Sequence, residues 1–273
     1  MLGRAARAAS RVSSYTESMP ERDEATIQGR TAISPVHIVA TDLDDAWFQV
    51  IYNIMTRGYR YPVDRGSYEG ADRIELDLAT VQITNPGGGP LLPIIPEGLG
   101  VPAPADLDYV EQEYFPRYLA SDIKAENEQY TYGERINQPV TDDLVGVTRS
   151  QIDWAIEILR DTPGTNQACV EIGQPTDITL HGKDGSYDPP CMRLIDMRVR
   201  YDKLHFICYF RSWDAWNGFP VNLAGLELLK RFVADQVGVG SGELIGISKG
   251  LHIYQHAEEA ARIRTHMEAR QRG

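Results

Sequence analysis

Cys191 follows Pro189 and Pro190 at the start of an alternating apolar segment, so its thiol leaves a stiffened loop at the mouth of a strand. A thiol attacks only as thiolate, and a nearby cation favours that form. Arg211 is the cation within reach: it lies twenty residues on, at the far end of the strand that returns after RLIDMRVRY. A lone cysteine in this setting also looks like a small buried core residue. The stretch RSWDAWNGFPVNLAG is denser in polar groups than a strand-to-helix connection requires. Arg211 and Ser212 carry the donors that could hold a phosphate. Asn222, at a predicted helix start, reads as an N-cap or as a donor and acceptor matching the N3–H and O4 edge of a uracil ring. His252 and Tyr254 alternate on one face of LHIY, either as satisfied core residues or as partners of a sugar hydroxyl.

These residues need a frame. In DLDDAWFQVIYNIMTRG, Trp47, Val50, Ile51, Ile54 and Met55 recur at helical spacing, and Gly58 is placed to end the helix. YRYPVDRGSYEG reads as a loop and RIELDLATVQIT as one half-buried strand. Residues 85–104, rich in Pro and Gly, form a loop or flap. DLDYVEQEYFPRYLAS reads as helix interrupted near Pro116, YTYGER as loop or turn, and TRSQIDWAIEILRDTPG as a clear helix. From residue 168 strands take over: ACVEIG, then RLIDMRVRY and LHFICYF as a hairpin turning at Asp202–Lys203. NLAGLELLKRFVADQVGVG is a strong helix, apolar at Leu226, Leu229, Phe232 and Val233, and AEEAARIRTHMEARQR is a last one. Helices and strands mix without a regular βαβ rhythm, so the expected class is α+β.

The length suits one large domain or two small ones. Residues 1–35 read as a disordered leader rather than a targeting signal, with one catalytic domain over 36–273. A formal charge of −12 argues against broad nucleic-acid binding but allows a small anion held by convergent arginines. No apolar run approaches the roughly 20 residues that span a bilayer, so no membrane partner is expected. Cys169, Cys191 and Cys208 form no CxxC pair, which suggests reduced thiols and a cytoplasmic setting; scattered histidines predict no metal.

From about Ala168 to Gln255 the chain resembles the thymidylate synthase family, especially its short archaeal-type sequences. The likeness rests on DPPCMRLID, RSWD, GFPVNLAG and HIY, in order and at family spacing. Upstream, Asp64–Arg65–Gly66 resembles the family's phosphate-binding arginine loop, and Tyr132–Gly133 its tyrosine-glycine motif. The resemblance implies a thymidylate-synthase-like fold with a large mixed, bent sheet and a homodimer. It implies that Cys191 attacks C6 of a pyrimidine nucleoside monophosphate and that C5 takes a one-carbon unit from 5,10-methylenetetrahydrofolate. Arg65, Arg211 and Ser212 would hold the phosphate, Asn222 the base, and His252 with Tyr254 the ribose. Asp214 and Gly218 would face the folate, Tyr132 would help remove the C5 proton, and Glu113, with Glu111 next, would be the general acid.

The chain departs from the family's pattern in several places. Asn166 and Gln167 stand where the family lends a pair of arginines across its dimer, and Met192 stands where it has His. No Trp lies between Leu119 and Tyr132, and the sequence ends soon after HIY, without the closing segment. A site open to water favours a hydroxymethyl product over a methyl one. Lys183, in HGKDG, is an extra cation, read as a solvated loop residue or a contact to ribose or phosphate. Three functions follow: thymidylate synthesis from dUMP, 5-hydroxymethylation of CMP, dCMP or dUMP, and nucleotide binding without catalysis.

Overall fold

In the computed structural model, which describes residues 32–63, 68–180 and 188–267, Asp42 opens the first helix by accepting a hydrogen bond from the Asp45 amide at 3.0 Å. Helix α1 (Leu43–Arg57) buries Trp47, Val50, Ile51 and Ile54, the face its periodicity predicts. Gly58 ends it because nothing larger fits: an added Cβ would lie 2.5 Å from the Ile54 carbonyl oxygen. Residues 1–31 of the expected leader and Lys183 lie outside the described residues; Pro35, the last residue assigned to the leader, already opens a strand, and Ile33–Gly273 form one unit.

Six strands form the large mixed sheet, in the order β1 (Pro35–Ala40), β4 (Leu78–Ile83), β11 (Gly240–Ser248), β9 (Lys203–Phe210), β8 (Met192–Arg200), β7 (Cys169–Glu171). The pairs β1–β4 and β11–β9 are parallel and the rest antiparallel, consistent with an α+β fold. A second sheet runs β10 (Trp213–Asp214), β12 (Leu251–Tyr254), β3 (Asp72–Leu76), β2 (Tyr59–Pro62). A small hairpin joins β5 (Pro139–Asp142) to β6 (Val147–Ser150). The core lies between one face of the large sheet, with Val81, Phe206, Cys208, Phe210 and Leu244, and helices α1, α4 (Gln151–Asp161) and α6 (Gly218–Val237). Among the described residues no helix is long and apolar enough to cross a membrane.

Several elements differ from the sequence expectation. RIELDLATVQIT is two strands in two sheets, not one. The break is at Asp77, whose carboxylate accepts hydrogen bonds from the Ser34 amide and the Tyr59 hydroxyl and so fixes the crossing between sheets. Tyr59–Pro62 is a strand rather than loop, because β3 offers it an antiparallel edge. YTYGER contains helix α3 (Tyr132–Ile136), started by the Thr131 side chain accepting from the Glu134 amide at 3.0 Å. The β8–β9 turn is Tyr201–Asp202, one residue earlier than predicted, with both residues at positive φ as a tight two-residue hairpin demands. Phe232 faces solvent instead of the core, while Leu226, Leu229 and Val233 are buried.

The segment around Pro116 departs most. After one α turn (α2, Leu107–Tyr109) the chain widens into a π-type wind over Val110–Leu119 and runs through the proline without breaking. In an α-helix a proline ring collides with the carbonyl four residues back; a wider wind relieves that clash. The Ala120 amide closes this wind on the Phe115 carbonyl, five residues back. Val110, Tyr114 and Leu119 consequently turn inward.

Candidate active site

The hairpin register brings the thiol and the arginine together. Met192 pairs with Phe210, and one step beyond, the Arg211 amide donates to the Cys191 carbonyl at 2.8 Å. Pro189 and Pro190 are buried, and their carbonyls accept from Arg211 Nε at 3.2 and 3.3 Å. The guanidinium also donates to the carboxylate of Asp188, which is largely exposed. Cys191 is half-buried. Burial pushes its thiol above the ordinary range, Asp188 and Asp214 add to the rise, and Arg211 and Arg193 pull it back. Arg193, two residues past the thiol, folds over bare Gly173 and reaches Asp177, the first residue of the short helix α5 (Asp177–Leu180), at 2.8 Å. Asp177 also meets Arg135 of α3 at 3.3 Å, so one buried carboxylate ties the thiol's strand to the YTYGER helix.

Opposite the thiol stands a wall of tyrosines. Tyr114 and Tyr118 come from the π-type helix, Tyr130 from the segment that follows and Tyr132 from the start of α3, with rings 5.4–6.4 Å apart between neighbours. The Tyr132 hydroxyl accepts from the Met192 amide at 3.4 Å, beside the nucleophile. Burial holds its phenol well above the usual range, so it stays protonated. Glu113 is not brought to this wall. In the π-type wind it faces solvent, 59% exposed, paired with Arg117 at 3.4 Å; Glu111 is exposed as well. The resemblance placed the general acid in this helix, but the wider wind gives its inward places to Val110, Tyr114 and Leu119 instead.

Asn222 sits inside α6, which begins at Gly218, so it is not the N-cap that was one reading of its position. Its Oδ1 accepts from Trp213 Nε1 at 2.9 Å and its Nδ2 donates to the Tyr114 hydroxyl at 2.6 Å. His252 is buried and pairs in register with Glu75 on β3. Its Nδ1 contacts the Gly250 carbonyl at 2.9 Å, and a carbonyl only accepts, so Nδ1 carries the proton. Nε2 is then a buried lone pair with no partner among the described residues. Burial lowers the His252 pKa to about 4, so the ring is neutral at physiological pH. Tyr254 packs edge-on against it at 4.5 Å. Ser212 is half-buried beside Arg211. The Asp214 carboxylate accepts from the Trp216 amide at 2.9 Å, and Gly218 lies open beside it: a Cβ there would be 3.6 Å from Asp214 Cβ and 3.9 Å from Asn222 Oδ1. Arg65 falls outside the described residues.

Sequence reasoning passed over Trp213, Tyr114, Arg193, Asp188 and Asp177. One signal was present: five tyrosines, at 109, 114, 118, 130 and 132, crowd a stretch with no other reason to be so phenol-rich.

Known proteins resemble the chain in sequence and in fold. Residues 112–272 match the sequence pattern of a family described as thymidylate synthase. Two archaeal proteins, each named "Putative thymidylate synthase", are similar over most of their length. That of Methanosarcina acetivorans is 31% identical over 225 residues, spanning 80% of this chain and 89% of the relative. That of Methanosarcina mazei is 30% identical over 222 residues, with the same shares. Among solved structures, thermostable thymidylate synthase A from Bacillus subtilis has a TM-score of 0.62 at 18% identity, over 85% of this chain and 86% of that one, a likeness of fold.

Proposed function

The chain belongs to the thymidylate synthase family, and on that premise we propose that it transfers a one-carbon unit to C5 of a uracil nucleoside monophosphate, converting dUMP to dTMP through a covalent bond to Cys191. The observation that carries this reading is the pairing of Cys191 with Arg211 at the end of one hairpin. Arg211 draws the half-buried thiol toward the thiolate, which adds to C6 and leaves C5 nucleophilic. An arriving phosphate competes with the exposed Asp188 carboxylate for the Arg211 guanidinium, with Ser212 and Arg65 as further donors. The neutral His252 accepts a sugar hydroxyl at its buried, unpartnered Nε2, beside Tyr254. Asn222 reads the base edge.

Tyr132, protonated and hydrogen-bonded to the amide after the nucleophile, orients a water that takes the C5 proton. The residues fit a folate: bare Gly218 leaves room beside the Asp214 carboxylate, an acceptor suited to an N–H edge. Bound 5,10-methylenetetrahydrofolate would supply the carbon and, for a methyl product, the hydride. The uncovered face of the large sheet, with half-exposed Ile207, Tyr209, Ile245 and Ile247, supports a homodimer packed through that face, which sedimentation would check.

A second reading, 5-hydroxymethylation, draws on the tyrosine wall, whose hydroxyls suit an ordered water near the reacting carbon. Incubating the protein with methylenetetrahydrofolate and each of dUMP, UMP, dCMP and CMP, then weighing the products, tests both. A product heavier by CH2, with dihydrofolate absorbance, supports the first reading, and one heavier by CH2O without it supports the second. No product and no release of tritium from C5 defeats both.

A further inference from the structure

The amide of Asn222 is held at both ends. Trp213 Nε1–H donates to Oδ1, and Nδ2 donates to the Tyr114 hydroxyl. An indole nitrogen donates and cannot accept, so only the oxygen end of the amide can face Trp213. A tyrosine hydroxyl can do either, so Tyr114 tolerates both orientations and Trp213 alone sets the choice. After these bonds Oδ1 keeps one lone pair and Nδ2 keeps one N–H.

The indole itself is clamped. It is 2% exposed, and its ring lies parallel to that of Phe210 with centroids 3.8 Å apart; Phe219 stands 4.6 Å away. Gly246 on β11 is bare where a Cβ would come within 2.7 Å of the indole, so the sheet leaves a slot for that ring. The donor therefore points in one direction, and turning the amide over would set an N–H against an N–H in a buried place.

Uracil and cytosine differ by the reversal that such a flip produces. Uracil offers a donor at N3 and an acceptor at position 4; cytosine offers an acceptor and then a donor. An amide free to rotate can meet either edge.

We propose that Trp213 is a specificity-determining positioning residue: its indole N–H fixes the polarity of the Asn222 amide, so that the site accepts the uracil edge and rejects the cytosine edge. The proposal rests on the reading above that Asn222 faces the base. Trp213 acts only through Asn222, so its removal changes which base is chosen rather than whether the thiol reacts.

The test compares binding of UMP, dUMP, CMP and dCMP by calorimetry, with tritium release from C5 as a second readout, in the full chain and in Trp213→Phe. The native protein is expected to prefer uracil nucleotides by at least ~100-fold, the scale of leaving buried hydrogen-bonding groups unpaired. Trp213→Phe keeps the stacked ring and is expected to shrink that preference at least ~10-fold, mostly by gaining cytosine binding, a change mere loosening of the fold would not produce. Tyr114→Phe, which leaves the indole bond in place, should keep the preference within about threefold. If Trp213→Phe does not fold, benzothienylalanine placed at 213 by nonsense suppression keeps the shape, lacks the N–H, and should shrink the preference equally. An unchanged preference in a folded variant lacking the N–H overturns the proposal, as does a native preference for cytosine. Failure of the native protein to bind any of the four nucleotides is a different result: it overturns the proposed function and this inference with it.

Discussion

The thiol corner and the tyrosine wall face each other across the candidate site, yet they are built by different rules. At the corner, two strands joined by a two-residue turn set Cys191 against Arg211, and strand register alone decides the pairing. At the wall, helix periodicity decides which side chains turn inward, and a proline has changed that periodicity. A residue placed by register can be located by counting; one placed by the wind of a helix can be located only once the wind is known.

The largest effect should come from the corner. Cys191→Ser is expected to lower the rate of C5 tritium release by at least ~10⁴, since covalent activation is lost with the thiolate. Melting temperature should barely move, because the half-buried sulfur is replaced by an oxygen of similar size. Substantial release in the serine variant would mean the corner is not where the chemistry happens. Next in size, Arg211→Ala should lower kcat/KM by about 10³ through loss of the charge beside the thiol and of the phosphate's donors. Burial already lifts the Cys191 pKa, so native kcat/KM should climb with pH on the alkaline side, and removing the cation should move that climb to higher pH. If the profile stays put, Arg211 binds but does not tune the nucleophile.

Asp177 joins the two regions, and its effect is on stability. It lies buried between Arg135 of the wall's helix and Arg193 of the thiol's strand. Asp177→Asn leaves two guanidiniums facing an uncharged amide, which should cost on the order of 3 kcal/mol of unfolding free energy in denaturant titrations. Burial alone would raise its carboxyl, but the Gln174 amide, Arg135 and Arg193 hold it below the usual carboxylate range. A carboxyl depressed in the folded state contributes stability above its unfolded pKa and loses it as pH falls below about 4. The asparagine variant should therefore lack part of the native protein's acid sensitivity. An unchanged unfolding curve would show that the corner and the wall are not coupled through this carboxylate.

What the sequence disclosed follows the same division. Helix α1 and the hairpin could be read because each depends on local periodicity or a short turn, whereas the order of motifs around Cys191, Arg211 and His252 was legible as a family resemblance. Asp77 gave no sign that it would divide one alternating run between two sheets, since that depends on Ser34 and Tyr59, distant in sequence. Trp213 looked like one more apolar residue in RSWD; its role in the site depends on Asn222, Phe210 and Gly246, from three different elements. The Arg135–Asp177–Arg193 cluster joins three segments and leaves no spacing to find.

Glu113 provides the smallest expected effect and the sharpest comparison. Family resemblance gives it the general acid's role; the π-type wind puts it on the solvent side, paired with Arg117. A carboxylate there cannot hand a proton to a base near Cys191, so Glu113→Gln should change kcat/KM by less than about threefold. Tyr132→Phe, measured in the same assay, should cost ~10- to 100-fold, because that hydroxyl touches the amide next to the nucleophile. A loss of 100-fold or more in Glu113→Gln would reverse the ranking. It would require the π-type segment to rewind when nucleotide binds, bringing Glu113 inward by about a quarter turn as the wind tightens toward 3.6 residues per turn. Hydrogen exchange of the amides of Phe115 and of Arg117 to Ala120, with and without nucleotide, separates the two cases: a fixed wind leaves their exchange rates unchanged, and a rewind, which must break and remake the Ala120 bond to Phe115, changes them.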